Sequence, residues 1–200
     1  MGIGHAPPRR IGLLGGSFNP AHEGHRHVSR EALKRLGLDE IWWLVAPQNP
    51  LKPQAGMAPL DRRLAAARAF ARNPRIRVLD LERRLGTVYT RDTVKALCRL
   101  FPRTRFVWLM GADNLSQVRR WQGWRDIFAA VPIAVLARPT YCRRALAELA
   151  AQRFARHRLP PAAARRLAAT KPPAWTFLWS KLDASSATQL REPPRLAAIL

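Results

Sequence analysis

The sequence predicts an α/β fold in which a parallel β-sheet is covered by helices on both of its faces. Short apolar runs alternate along the chain with segments whose apolar residues recur at helical spacing. These runs are continuous rather than alternating, which is typical of strands that are buried on both faces. Two hundred residues, 48% of them hydrophobic, suffice for one such domain with a packed core.

The strands and helices follow in order from these runs. The segments predicted as strands are Ile11–Leu14, Ile41–Val45, Ile76–Leu79, Phe106–Leu109, Ile133–Leu136 and Thr176–Trp179. The segments predicted as helical are Val28–Leu36, which Gly37 ends, Leu60–Phe70, Thr93–Leu100 and a helix that closes at Ile127–Phe128. Residues 138–170 are rich in alanine and arginine, and they predict two peripheral helices interrupted by Pro160-Pro161.

The ends of the chain and its cysteines predict a cytoplasmic protein. Residues 1–10 contain Pro7-Pro8 and Arg9-Arg10 but no apolar run of a signal peptide, so we expect a flexible tail followed by a single domain over 11–200. No apolar run is long enough to span a bilayer. Cys98 and Cys142 have no spacing that suits a metal or a disulfide framework, which favours a reducing compartment.

The formal net charge is +22, and arginine outnumbers lysine 30 to 5. Three origins of this charge stay open: a solvated arginine-rich surface, a field that gathers anionic nucleotides, or a nucleic-acid footprint. Pairs of arginines are scattered along the chain, whereas nucleic-acid binders more often concentrate charge in one tail or helix face. Nucleic acid is therefore the less favoured partner, although charge alone does not separate the three.

The segment from Gly15 to His25 joins the first predicted strand to the first predicted helix. A strand, a glycine turn and a helix in this order present backbone N–H groups and a positive helix end to a phosphate. Gly15 and Gly16 let the backbone approach a ligand where a Cβ atom would collide. His22 and His25 lie at the helix entrance, where imidazoles donate hydrogen bonds to phosphate oxygens, more strongly when protonated. The segment therefore predicts a nucleotide site.

The histidines also fit a metal site or a simple helix cap, and both possibilities stay open. As metal ligands, His22, His25 and His27 have no cysteine nearby, and loop histidines without carboxylate partners make a poor cage. As a cap, the histidines would serve only to satisfy the backbone at the start of the helix.

The same segment carries a family motif. His22-Glu23-Gly24-His25 matches the HxGH signature of the nucleotidylyltransferase superfamily, and the longer run resembles the GG-(S/T)-F-(D/N)-P-x-H-x-G-H form of bacterial nicotinate-nucleotide adenylyltransferases. This resemblance implies a Rossmann-like nucleotidylyltransferase fold in which His22 and His25 are catalytic. The residues that it implies for ATP binding are Gly15, Gly16, Ser17, Phe18, His22, His25, Asp113, Ser186, Thr188 and Arg191.

Further segments follow the carboxyl ends of predicted strands, where open parallel sheets bind their ligands. The run Pro47–Lys52 resembles a PxxPxK-like loop of the family, in which Lys52 would meet a phosphate. Asp113 follows the fourth strand, where a carboxylate can accept hydrogen bonds from ribose hydroxyls. Arg138 follows the fifth strand and would line the nucleotide cleft, although the family's R-P-G continues here with Thr140.

Two segments match the family's pyridine-binding residues. Tyr89–Thr93 resembles the Y-T-x-D-T segment, in which Thr90 would offer its hydroxyl to the nicotinate carboxylate, and Asp92 or Thr90 is the predicted N-cap of the helix. Trp121 is the family match for an indole that stacks on the pyridine ring, where a cationic ring adds about 0.5–2 kcal/mol. Trp124 instead fits the pattern of the core.

The C-terminal run Ser185–Arg191 resembles the family's I-S-(S/A)-T-x-(I/L)-R signature. Ser186, Thr188 and Arg191 match it, whereas Ser185 stands where the family has an aliphatic residue. Hydroxyls and amides at a helix start bind phosphate well, and an arginine one turn later can donate two hydrogen bonds to its oxygens. The matching residues would therefore hold the β- and γ-phosphates of ATP.

Together the motifs span Ile11 to Arg191 and imply the transfer of the adenylyl group of ATP to nicotinate mononucleotide, a late step of NAD synthesis. The residues implied for the mononucleotide are Lys52, Thr90, Trp121 and Arg138. Magnesium would arrive with ATP, held by phosphate and water, and no metal site of the protein's own is expected. Two alternatives stay open: the same transfer to nicotinamide mononucleotide, or a basic nucleic-acid-binding protein on a relic nucleotide fold. The oligomeric state is not predicted.

Overall fold

A seven-stranded sheet in the order β3-β2-β1-β4-β5-β7-β6 organises the molecule. The computed structural model describes residues 7–48, 55–137 and 142–179. Neighbouring strands pair in parallel throughout this sheet, as predicted. The strands are β1 (Arg10–Gly16), β2 (Glu40–Val45), β3 (Ile76–Leu79), β4 (Arg105–Gly111), β5 (Ile133–Leu136), β6 (Arg158–Leu159) and β7 (Trp175–Leu178).

Helices connect the strands and cover both faces of the sheet. Within the described ranges the α-helices are α1 (Glu23–Leu36), α2 (Leu60–Ala71), α3 (Leu81–Leu85), α4 (Thr90–Leu100), α5 (Ala112–Gln117), α6 (Trp124–Ala130), α7 (Cys142–Ala147) and α8 (Leu149–Arg153). Short 3-10 segments occupy Val118–Arg120, Ala155–His157 and Pro161–Ala169.

Alternate residues of β1 enter two separate hydrophobic clusters, one on each face of the sheet. Leu14 belongs to the cluster that α1, α2 and Pro161–Ala169 cover, whereas Ile11 and Leu13 belong to the cluster covered by α4, α6 and α8. Burial on both faces explains why the strands appear in the sequence as continuous apolar runs. The predicted fold class is confirmed.

The strand order reverses between β1 and β4. From β1 the chain builds outward through β2 and β3, and it then crosses to the other side of β1 to form β4. A crevice opens at such a reversal, outside the carboxyl ends of the two central strands. The loop that follows β1 and the helix that follows β4 therefore share one edge of the sheet.

The observed elements differ from the prediction in several places. The first strand begins at Arg10 rather than at Ile11, and the carbonyl of Arg9 accepts a hydrogen bond from the backbone N–H of Arg105. Residues 142–170 form α7 and α8, two 3-10 segments and the two-residue strand β6, rather than two helices. The short elements α3, α5 and β6 were not predicted. They contain five, six and two residues, which are too few to show a hydrophobic period.

Gly12 is a point of close approach within the sheet. A Cβ atom there would lie 2.7 Å from Cδ1 of Ile41 and 2.9 Å from methyl groups of Leu38 and Leu109. All three side chains are buried, so they have little room to move away. Glycine at this position is required by packing.

We therefore expect Gly12→Ala to lower the free energy of unfolding by about 1–3 kcal/mol, the usual cost of overpacking a core. Ile41→Val removes the closest atom, so the double variant Gly12→Ala/Ile41→Val should be more stable than the sum of the two single effects. Chemical denaturation of all four proteins measures this coupling. Strict additivity would contradict the proposed clash.

Candidate active site

The glycine turn, residues 15–21, begins within β1, because Gly15 and Gly16 are the last two residues of that strand and pair with β2. Gly16 remains in register with β2, and its carbonyl accepts a hydrogen bond from Ala46 N at 2.9 Å. A Cβ atom at Gly15 would lie 2.7 Å from Cη2 of the Trp108 indole. The need for glycine at position 15 therefore arises from a neighbouring ring of the protein, where the sequence suggested the approach of a ligand.

Phe18 supports the turn from inside the core. It adopts a left-handed conformation with φ of +46°, which costs an ordinary residue about 1–2 kcal/mol. Its buried ring stacks on Trp43 with centroids 5.1 Å apart and lies 4.4 Å from the ring of His25. The Phe18 side chain, predicted among the ATP-binding residues, thus packs beneath a histidine.

His22 and His25 are joined in a reciprocal cap at the start of α1. Nδ1 of His22 accepts a hydrogen bond from Gly24 N at 3.1 Å, and Nδ1 of His25 accepts one from His22 N at 3.2 Å. The two ring centroids are 4.0 Å apart. His22 is buried, whereas His25 is partly exposed. Helix capping, one of the alternatives left open by the sequence, is therefore one function of this pair.

This cap also fixes where each imidazole carries its proton. A ring nitrogen that accepts a hydrogen bond is unprotonated, so the proton of each neutral ring lies on Nε2. Protonation of Nδ1 would break the bonds that shape the loop. In this arrangement each neutral ring offers an Nε2–H donor, whereas the protonated, stronger donors that the sequence also allowed would lose these two bonds.

A short hydrogen-bond chain holds the backbone of His25. The indole of Trp43 donates to Ser29 Oγ at 2.8 Å, and Ser29 Oγ donates to the carbonyl of His25 at 2.8 Å. Ser29 and Trp43 are fully buried. The helix entrance is thus fixed by side chains from both α1 and β2.

Arg63 of α2 ties the neighbouring loops together. Its guanidinium donates to the carbonyls of Ser17 and Ala46 at 2.7 and 2.8 Å, and to two further carbonyls, those of Pro47 and Ala58, at 2.8 Å. The residue is only 3% exposed, and burial lowers its pKa. It therefore joins the loop after β1, the loop after β2 and the segment that leads into α2.

The pyridine-binding residues predicted from the sequence lie on adjoining segments. Gly123, whose φ is +62°, lies against the side chain of Arg91. Lys95 and Asp126 form an ion pair of 2.7 Å between α4 and α6. These contacts bring the segment that contains Thr90 next to the segment that contains Trp121.

The N-cap prediction for α4 was wrong. Tyr89 occupies the N-cap position, and no side chain caps the helix there. Thr90 is the first helical residue, and the Asp92 carboxylate pairs with Arg91. The hydroxyl of Thr93 instead donates to the Tyr89 carbonyl at 3.3 Å. Thr90 is consequently not used as a cap.

Trp121 is linked to the glycine turn through Trp108. Its ring stands perpendicular to that of Trp108, with centroids 6.3 Å apart, and Trp108 in turn lies against Gly15. Trp124 packs edge-on against Phe128 and Phe154, as expected for a core residue. The two indoles of the W-x-x-W segment thus have different surroundings.

Asp113 lies in the first turn of α5, directly after β4. Its Oδ1 atom is buried and has no hydrogen-bond partner among the described residues. A buried carboxylate oxygen that accepts no hydrogen bond destabilises the folded protein, so its presence indicates a binding role. This arrangement is compatible with the ribose contact predicted for Asp113.

A carboxyl group with a raised pKa lies just before the Thr90 segment. Glu82 of α3 is 6% exposed, and burial raises its pKa to about 7. The backbone carbonyl of Glu82 accepts a hydrogen bond from Thr87 N at 3.0 Å, so this residue also fixes the turn that leads into α4.

Several predicted site residues lie outside the described part of the chain. They are Lys52, Arg138, Ser186, Thr188 and Arg191. In the ranges that are described, no group of three or more histidine, cysteine or acidic residues could hold a metal ion. No helix in those ranges is long and apolar enough to cross a bilayer.

The architecture and the histidine loop define the class to which the chain belongs, and the Cytidylyltransferase-like family model matches residues 13–192. A protein of Parvibaculum lavamentivorans, named as a probable nicotinate-nucleotide adenylyltransferase, is 55% identical over 93% of this chain and 92% of its own length. One of the same name from Ruegeria pomeroyi is 52% identical over 92% of this chain and 86% of its own length. The chain belongs to the nicotinate-nucleotide adenylyltransferase family.

The fold is also shared with solved structures. The nicotinic acid mononucleotide adenylyltransferase of Plasmodium falciparum, complexed with NaAD, aligns with a TM-score of 0.69 over 92% of this chain and 82% of its own. The sequence identity is 17%, so this likeness concerns the architecture alone.

Arg63 and Trp108 were not predicted from the sequence as parts of the site. Arg63 lies between Leu60 and Ala67 at helical spacing, on the stripe that faces the core, and an arginine on an apolar stripe is a detectable signal. Trp108 looked like an ordinary strand residue, because its partner Gly15 is distant in sequence. Only the pairing of β1 with β4 brings the two together.

We expect Arg63→Lys to lower the free energy of unfolding by about 2–4 kcal/mol, because an ammonium cannot reach four carbonyls that a planar guanidinium satisfies. The matched control is Arg62→Lys on the exposed face of the same helix, which should stay within about 0.5 kcal/mol of the parent. Denaturant unfolding measures both. Equal stabilities of the two variants would show that Arg63 does not join the loops.

Proposed function

We propose that this protein transfers the adenylyl group of ATP to nicotinate mononucleotide, forming nicotinate adenine dinucleotide and pyrophosphate. The observation that carries the proposal is the juxtaposition at one edge of the sheet: the segment that leads from Gly15 to the His22–His25 pair lies at the strand-order reversal, and Trp108, which lies against Gly15, contacts Trp121. The names of relatives at 52–55% identity support the same activity.

The reaction needs no covalent intermediate with the protein. An oxygen of the mononucleotide's 5′-phosphate attacks the α-phosphorus of ATP in line, and the bond from that phosphorus to the bridging oxygen of the β-phosphate breaks. Pyrophosphate leaves with the electron pair. Such transfers are catalysed chiefly by positioning and by the stabilisation of developing charge.

His22 and His25 supply that stabilisation. Their Nδ1 atoms accept backbone hydrogen bonds, so their Nε2–H groups are the donors that face developing charge on phosphate oxygens. Phe18 and Trp43 pack against the His25 ring and keep it oriented. Donors held in place before the reaction require no reorganisation during it.

The remaining contacts are assigned by resemblance and by position. Asp113 accepts hydrogen bonds from ribose hydroxyls, Thr90 and its neighbouring amides receive the nicotinate carboxylate, and Trp121 stacks on the pyridine ring. Outside the described ranges, two groups of matched residues complete the assignment: Lys52 and Arg138 for the mononucleotide, and Ser186, Thr188 and Arg191 for the phosphates of ATP.

Magnesium enters with the substrate, as Mg-ATP, with phosphate oxygens and water as its ligands. We place the reaction in the cytoplasm, since the spacing of the two cysteines does not suit a disulfide framework and Cys98 forms no disulfide among the described residues.

The proposal predicts a preference for the acid. With Mg-ATP, kcat/KM for nicotinate mononucleotide should exceed that for nicotinamide mononucleotide at least tenfold, roughly 1.4 kcal/mol, because donors arranged for a carboxylate meet an NH₂ group when the amide binds. Pyrophosphate release and dinucleotide formation measure both rates. Thr90→Val should reduce the ratio of the two kcat/KM values. Trp121→Ala should weaken the binding of both substrates equally, because stacking on the pyridine ring does not depend on its substituent. Equal turnover of the two substrates by the parent protein would favour the amide enzyme.

His25→Ala should reduce kcat far more than it raises KM for ATP, by about 100-fold or more, since its donor acts where charge develops in the transition state. His157→Ala is the control, because this partly buried histidine lies in a 3-10 segment beyond α8. Steady-state kinetics with thermal unfolding of both variants measures the effect. A folded His25→Ala protein with nearly normal kcat would refute the role of His25.

A further inference from the structure

Trp108 differs from the other buried tryptophans in one respect. The indoles of Trp42, Trp43 and Trp175 donate to Glu40 Oε2, Ser29 Oγ and the Phe154 carbonyl, at 3.0, 2.8 and 2.8 Å. Trp108 is only 2% exposed, yet its Nε1–H finds no acceptor among the described residues. A buried indole N–H normally has a partner, so this donor requires an explanation.

The contacts of the Trp108 ring show which of its sides is nearer to Gly15. Its Cη2 and Cζ2 atoms are the ones nearest to the Cβ position of Gly15, at 2.7 and 3.0 Å. In an indole, Cζ2 is separated from Nε1 by Cε2 alone, and Cζ3 on the opposite side of the ring is farther away, at 3.8 Å, so the side of the ring that carries the donor is the one nearer to Gly15. The ring of Trp121 stands perpendicular to Trp108, 6.3 Å away between centroids.

A second orphaned atom belongs to the same β4–α5 unit. Oδ1 of Asp113, five residues after Trp108, is buried and lacks a donor in the described ranges. One unused donor and one unused acceptor thus occur where the strand order reverses. Each unpaired atom destabilises the free protein, and a ligand that carries both an acceptor and a donor would remove this destabilisation.

We propose that the Trp108 Nε1–H donates a hydrogen bond to an oxygen of the pyridine mononucleotide, making Trp108 a substrate-binding residue beneath the stacking indole of Trp121. This inference rests on the proposed function for the identity of the ligand. The acceptor is an oxygen either of the ring carboxyl group or of the ribose phosphate, and the two sources are separable by experiment.

The test compares Trp108→Phe with Trp175→Phe, a substitution in the same hydrophobic cluster. Calorimetric titration of nicotinate mononucleotide should show a roughly 10- to 100-fold rise in Kd for Trp108→Phe and an unchanged Kd for Trp175→Phe, while the affinity for ATP stays the same in both. Thermal unfolding should show a smaller decrease in Tm for Trp108→Phe than for Trp175→Phe. The first variant removes an unsatisfied donor, whereas the second leaves the Phe154 carbonyl without its donor.

A comparison of the two mononucleotides then identifies the acceptor. A larger loss for nicotinate than for nicotinamide mononucleotide identifies the ring carboxylate, and equal losses identify an oxygen that both substrates share, such as one of the ribose phosphate. An unchanged Kd in Trp108→Phe, or a loss confined to ATP, overturns the inference. If the Phe variant does not fold, Trp108→Met repeats the test, since methionine adapts to irregular space. Parent protein that binds and turns over neither mononucleotide refutes the proposed function itself.

Discussion

The buried guanidinium of Arg63 holds together the loops from which the candidate active site is built. It donates to backbone carbonyls of Ser17, Ala46, Pro47 and Ala58, and among the described residues no carboxylate neutralises it. A buried charge is tolerated only where hydrogen bonds replace its hydration, and these carbonyls provide them. Because the acceptors belong to loops after two adjacent strands, the glycine turn cannot shift without breaking the arrangement. The geometry of the histidine pair depends on that turn.

From this fixed turn, aromatic packing extends in two directions. On one face of the sheet, Phe18 and Trp43 support the His25 ring. On the other face, Trp108 lies against Gly15 and reaches Trp121. The parts proposed for ATP and for the pyridine mononucleotide thus both pack against the same turn. Transfer between two bound nucleotides requires such mutual alignment.

The large positive charge is compatible with a nucleotide-binding enzyme. Described acidic residues such as Asp39, Glu40, Asp80 and Asp126 form ion pairs with arginine or lysine, and most of the pairs are exposed. Ion pairs at exposed sites contribute little stability, so the excess arginine acts mainly on the surface potential. The family to which the chain belongs favours a substrate-gathering or merely solvating role over the nucleic-acid alternative.

The sequence by itself determined the fold class, most strand positions and the histidine loop, because periodicity, glycines and the HxGH motif are local signals. The order of the strands, the use of His22 and His25 as a reciprocal cap, and the clash that requires Gly15 were decided by tertiary structure. Each depends on atoms that are remote in the chain or on hydrogen-bond direction, neither of which a residue pattern encodes. Arg63 lies between these cases: its position on an apolar stripe was visible in the sequence, but its four acceptors were not. Trp108 gained its significance only when β4 paired with β1, which placed its ring beside Gly15 and left its indole N–H without an acceptor among the described residues.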